Sequence, residues 1–150
     1  MAKIALVGSS GGHLAQLLLL EPFWARHDRF WVTFDKPDAV SSLSNERHYW
    51  CRYPTNRHVG NLLRNTLQAF SLMRRERPDL VLSTGAGAAI PWFVVARLHG
   101  VPSAFVEVYD RVDSPTVTGR VAHVLATRFF VQWESQKRFY PRAELVGELL

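Results

Sequence analysis

Residues 8–13, GSSGGH, set two serines, a glycine pair and a histidine between a short apolar run and a leucine-rich segment. Glycines let a backbone approach a ligand closely, and the free amides of a helix start carry partial positive charge, so such a corner suits a phosphate or diphosphate. A second corner, STGAGAA at residues 83–89, follows another apolar run and has the same capacity. Either corner alone is equally well explained as a tight turn; the pair favours a shared ligand. A neutral imidazole at position 13 can take up a proton, give a hydrogen bond to a phosphate, or cap the turn.

Three phosphate or nucleophile motifs were tested against the first corner. GxGxxG fails, because Gly8 is followed by Ser10 and the third position is His13, although Asp35 stands where a ribose ligand would. A Walker loop fails for want of its lysine. Gly8, Ser10 and Gly12 satisfy GxSxG, but a nucleophile elbow needs earlier strands to supply its oxyanion loop, and only seven residues precede Gly8. The match to a serine hydrolase therefore reads as accidental.

The elements that must hold these corners alternate in type. Strands are expected at about 3–7, 30–34, 48–53, 80–83, 103–106 and 129–132, with a short last one near Leu145. Helices are expected at 12–20, 59–75, 91–99 and 116–126. In 59–75 the residues Leu62, Leu63, Leu67, Phe70 and Met73 make a one-sided stripe at helical period, with Pro78 closing the segment. Continuous apolar strands such as IALV argue for an α/β fold: a doubly wound, Rossmann-like parallel sheet covered on both faces. The expected order 3-2-1-4-5 makes strands one and four neighbours at the switch point, where ligands bind at the strands' carboxyl ends. Both glycine corners fall there.

With 150 residues, the chain is read as a single domain, 1–150. The start MAKIALVGSS is too short in its apolar part for a signal peptide, so the chain is expected to begin at Met1. The longest apolar run, residues 86–96, falls short of the roughly 20 needed to span a bilayer, so membrane contact is expected to be peripheral. A net charge of +5 implies an anionic partner. The arginines are scattered, which argues against nucleic acid. The lone Cys51 lacks neighbours at zinc-ligand spacing and reads as a small buried hydrophobe in a reducing compartment. Neither a DxD triplet nor a histidine pair at metal-ligand spacing occurs, so no metal and no cofactor are expected.

SSGGHL and STGAG, followed by VEVYDRVDSPTVTGRV at residues 106–121 and RFFVQWESQKRFYPRAELVG at 128–147, together resemble the acceptor-side, membrane-associated subunit of two-subunit glycosyltransferases. The eukaryotic members act on dolichol diphosphate-linked sugar, and bacterial relatives serve exopolysaccharide and capsule assembly. The resemblance implies the N-terminal, acceptor half of a GT-B transferase, active with a separate donor-binding subunit in a heterodimer or higher assembly. It implies an inverting, metal-independent transfer from a UDP-sugar, held by that partner, to a polyprenyl diphosphate-linked saccharide. His13 or Glu107 would be the base. Ser10, Gly11, Gly12, Gly85, Gly87, Arg111, Ser114, Thr118 and Arg120, with Thr116, would hold the acceptor diphosphate or sugar. Trp92, Phe93 and Arg97 are the expected contacts with an anionic membrane at the cytoplasmic face, with the basic 59–75 helix as a further candidate. Trp133 and the tail VGELL are where the partner interface is expected. Two other classes remain open: a non-catalytic lipid-binding scaffold and a nucleotide-binding, oxidoreductase-like domain.

Overall fold

The computed structural model describes residues 1–148. Seven strands form one parallel sheet: β1 Lys3–Gly8, β2 Asp28–Phe34, β3 His48–Cys51, β4 Leu80–Gly85, β5 Ser103–Val106, β6 Arg128–Val131 and β7 Glu144–Leu145. Among the described residues the α-helices are α1 Gly12–Leu19, α2 Glu21–Trp24, α3 Pro37–Ser42, α4 Val59–Glu76, α5 Ala89–Leu98 and α6 Val117–Leu125. A turn of 3-10 helix, Glu134–Arg138, joins β6 to β7. The strand order is β3-β2-β1-β4-β5-β6-β7, so the winding reverses between β1 and β4, as expected.

The period-two alternation of each strand divides the core into two layers. Ala5 and Val7 of β1, with Phe30 and Val32 of β2, face α4, α5 and α6. Ile4, Leu6 and Trp31 face the other way, onto Leu14, Leu17 and Trp24 of α1 and α2. Trp92 and Phe93 of α5 lie in the first layer, with only 1% and 0% of their surface exposed, packed on Phe30 and Phe105 respectively. Their expected role as membrane contacts is therefore wrong: α5 is covered by the sheet, α4 and α6, and these rings are core. Arg97 does lie on the surface, where its guanidinium donates to the Val124 carbonyl. Cys51 is buried, and burial pushes its thiol up to about 12.

The apolar stripe expected to seat α4 is turned outward over the helix's N-terminal half. Val59, Leu62, Leu63 and Leu67 are exposed, while Asn61, Asn65, Ala69, Leu72 and Met73 face inward. The asparagines win that face because the chain leaving edge strand β3 has backbone groups to satisfy. Asn65 accepts from the Arg52 amide at 2.8 Å and donates to the Arg52 carbonyl at 3.0 Å. Asn61 donates to the Pro54 carbonyl, and Gln68 to that of Trp50. Only from Ala69 onward does the helix pack as an ordinary amphipathic element.

On the other layer, Glu46 receives Arg29 through Nη2 and Nε, at 2.7 and 2.9 Å, and Trp31 Nε1 at 3.0 Å. Burial alone would raise this carboxyl, but the Arg29 and Trp31 hydrogen bonds overcome it and hold the group below its ordinary value of 4.5. A folded value below the unfolded one means that the stabilisation is complete above 4.5 and is lost as the pH falls through the folded value. Glu46→Gln should therefore cost about 1–2 kcal/mol at neutral pH and flatten the loss of stability in acid, as read from urea unfolding at a series of pH values.

Candidate functional site

A cavity of about 630 Å³ opens at the carboxyl ends of β1, β4 and β5. Three strand-to-helix turns border it: Gly12 and His13 at the start of α1, Gly85 and Ala86 ahead of α5, and Thr116, Val117 and Thr118 at the start of α6. The N-termini of α1 and α6 thus bring their positive ends to one space, and Arg111 adds a full positive charge on a wall that also carries the carboxylates of Asp110 and Glu107. The two helix starts and Arg111 offer donors to a ligand oxygen, while Asp110 sets a carboxylate beside them.

His13 is fixed by a reciprocal pair of bonds with Thr84. Its Nδ1 lies 2.9 Å from the Thr84 carbonyl, and the Thr84 hydroxyl donates to the His13 carbonyl at 2.6 Å. A carbonyl can only accept, so Nδ1 carries the hydrogen and the lone pair of the neutral ring is on Nε2. The imidazole lies so close over Gly85 that a Cβ there would be 3.0 Å from Cε1 and Nδ1, and Gly85 has φ of +110°, a backbone that suits only glycine. At the same seam a Cβ on Gly8 would be 2.9 Å from the Gly85 carbonyl. These two glycines are therefore explained by the contact between the corners.

Glu107, at the end of β5, is 1% exposed and its carboxylate is engaged on three sides. The Val108 amide donates to Oε1 at 3.0 Å, the Thr116 hydroxyl to Oε2 at 3.0 Å, and the Tyr140 phenol also donates to Oε2. Thr116 is the N-cap of α6 and accepts from the Gly119 amide at 2.7 Å. Glu107 thereby anchors the helix start that borders the cavity. Burial, reinforced by the bond to Glu107, raises the Tyr140 phenol, which stays protonated as a donor.

The other expected residues divide. Gly12, Gly85, Arg111 and Thr118 line the cavity beside His13 and Glu107. Ser10, Gly11, Gly87, Ser114 and Arg120 are not among its lining residues. The Gly11 amide is already given to the Asp38 carboxylate at 2.7 Å. Gly87 is a packing glycine, since a Cβ would fall 2.6 Å from Thr55 Oγ1. Ser114 and Arg120 lie on the exposed surface of the loop and of α6. Among the lining residues outside the expected set are Gln16, Asn56, Tyr109 and Asp110. The i, i+3 spacing of His13 and Gln16 on one helix was the available signal for the first of these. Trp133 is half-buried and donates to the Tyr109 carbonyl at 2.6 Å. Leu149 and Leu150 of the tail lie outside the described residues.

Residues 4–149 match the family described as "Oligosaccharide biosynthesis protein Alg14 like". The chain belongs to the Alg14 family. It is 28% identical to the human UDP-N-acetylglucosamine transferase subunit ALG14, over 99% of this chain and 83% of that protein. Over 54% of its length it is 37% identical to a UDP-N-acetylglucosamine--N-acetylmuramyl-(pentapeptide) pyrophosphoryl-undecaprenol N-acetylglucosamine transferase of Tolumonas auensis, covering 22% of that protein. Among solved structures it superposes on Acinetobacter baumannii MurG with a TM-score of 0.77 and 17% identity, over 90% of this chain and 43% of that one. The Alg14-family chain therefore has the same fold as a little under half of that larger protein.

One family-block residue has a purely steric requirement. A Cβ at Gly119 would fall within 2.7 Å of Glu107 Oε2, Tyr140 Oη and Thr116 Oγ1 at once. Gly119→Ala is expected to cost about 2–3 kcal/mol in urea unfolding through this overpacking, whereas a cost under about 0.5 kcal/mol would show that the Glu107 cluster yields freely.

Proposed function

We propose that this chain is the acceptor-binding, membrane-associating subunit of a heteromeric glycosyltransferase, which moves a sugar from a UDP-sugar held by a partner subunit to a polyprenyl diphosphate-linked saccharide. The observation that carries the reading is the locked His13 ring, whose Nδ1 is held by the Thr84 carbonyl, in a cavity bordered by the N-termini of α1 and α6. The acceptor diphosphate is held by the helix starts and Arg111, with Thr118 offering a hydroxyl. His13 Nε2 takes the proton of an acceptor hydroxyl. That oxygen forms its bond to the anomeric carbon as the bond from that carbon to the UDP oxygen breaks, the electron pair leaving with UDP and the configuration inverting. Glu107 acts as the positioning residue for α6, because its oxygens are engaged by Val108, Thr116 and Tyr140.

Among the described residues, no helix is long and apolar enough to cross a membrane. The bilayer contact is assigned instead to the outward face of α4, where Leu62, Leu63 and Leu67 are exposed beside Arg57 and Arg64. Apolar residues with a basic flank suit an anionic interface. Asn56, which lines the cavity, stands three positions before the first residue of α4, so this face starts at the cavity's rim. The acceptor's diphosphate would then enter the cavity while its lipid remains in the bilayer. The partner is placed on the side of Trp133 and the exposed Leu145 and Val146.

In the assembled complex, His13→Ala should lower kcat by about 10²–10⁴-fold while acceptor binding changes only a few-fold. A rate within a few-fold of the unaltered complex removes His13 as the base. Full transfer by the partner alone removes the catalytic role of this chain. For the membrane contact, the double variant Leu63→Ser, Leu67→Ser should fold normally, both side chains being exposed, and should lose most of its sedimentation with phosphatidylglycerol vesicles. Undiminished sedimentation would move the contact elsewhere.

A further inference from the structure

Gln16 is 3% exposed, yet it lines the cavity, one turn beyond His13 on the same face of α1. Its amide is oriented by a chain of bonds that begins at a backbone carbonyl. The Glu107 carbonyl can only accept, so Gln132 must present its Nε2 there, at 2.9 Å. The same Nε2 donates its second hydrogen to Gln16 Oε1 at 2.6 Å. With its oxygen so occupied, Gln16 has its Nε2 hydrogens left over, and no protein group among the described residues receives them.

Gln132 is itself placed with care. Gln136 Oε1 accepts from the Gln132 amide at 2.9 Å and from the Trp133 amide at 3.1 Å. Gln136 Nε2 donates to the carbonyls of Val108 and Arg111. Gln136 is fully buried and fully engaged, so it serves the shape of the loop that carries Tyr109 and Arg111. In this ladder of amides, Gln16 is the member with donor capacity facing the cavity.

We propose that Gln16 is an acceptor-contacting residue, whose side-chain N–H, set by Gln132, donates to a sugar or diphosphate oxygen beside the hydroxyl that His13 deprotonates. The inference rests on the acceptor-subunit reading above. Gln132 is a positioning residue, acting through Gln16. A donor held in one orientation on the cavity wall loses its bond to water when a ligand enters, so it favours acceptors that set an oxygen at that place.

Three substitutions separate contact from packing. Gln16→Glu keeps an oxygen for Gln132 Nε2 to bond and so retains the internal ladder, but replaces the cavity's donor by an anionic oxygen. Gln16→Leu removes both functions at similar volume, and Gln132→Leu removes the orientation of Gln16 together with the bond to the Glu107 carbonyl, a loss that the Tm record reports. The probe is a short-chain prenyl diphosphate-linked N-acetylglucosamine, titrated calorimetrically into the purified heteromeric complex, with Tm recorded alongside. Gln16→Glu should weaken binding at least 30-fold with Tm nearly unchanged. Gln16→Leu should weaken it about 10–100-fold, and Gln132→Leu by less, with no added loss in the double variant. Binding of Gln16→Glu equal to that of the unaltered complex would overturn the inference and leave the acceptor site standing. If the unaltered complex fails to bind the probe, both the inference and the acceptor-subunit reading fall.

Discussion

The contact on which the rest of this structure depends is the reciprocal bond between His13 and Thr84. It joins the first turn of α1 to the end of β4, across the seam where the sheet reverses its winding. Because a main-chain carbonyl receives Nδ1, the ring's tautomer is set by the fold itself, with no charged partner beneath it. The neighbouring irregularities follow from this closeness: the register between β1 and β4 shifts after Val7, and Gly8 faces Gly85 where side chains would collide. The proposed acceptor corner and the proposed base thus share one contact.

Polar side chains elsewhere serve backbone groups that the sheet leaves over, and their placement shapes the surface. Asn61 and Asn65 turn inward to the chain beyond β3, which forces the leucines of α4 outward. Glu107 accepts from the Val108 amide and from Thr116, which fixes the start of α6. The division of labour is physical: the group with its acceptor atom free faces the cavity, and the groups with their atoms engaged hold the cavity's walls.

Much of this was legible in the sequence where the determinants are local. The apolar runs marked each strand, and strand 103–106 was placed to the residue. The two glycine corners were correctly paired because the doubly wound order follows from strand and helix alternation. The face of α4 was misjudged for a specific reason: helical period identifies an apolar stripe but cannot see that backbone groups of a distant loop compete for the inner face. The composition around Trp92 and Phe93 suits a membrane interface and a core helix equally, because a short aromatic run near an arginine occurs in both, and only the packing on Phe30 and Phe105 distinguishes them. Gln16 and Gln132 were invisible as a unit, since 116 residues separate them and neither has meaning without the carbonyl of Glu107. Gly119 was similarly silent, because its requirement comes from Tyr140 arriving from beyond β6.

The central claim is that the fold holds His13 with Nδ1 protonated and Nε2 open to the acceptor. Nitrogen NMR of the assembled complex, with ¹⁵N-labelled histidine and a non-transferable acceptor analogue, measures this without any substitution. The account predicts a neutral ring with a pyrrole-type Nδ1 and a pyridine-type Nε2, and a change at Nε2 alone when the analogue is added. A proton on Nε2 in the neutral ring, or a His13 signal indifferent to the analogue, would contradict it.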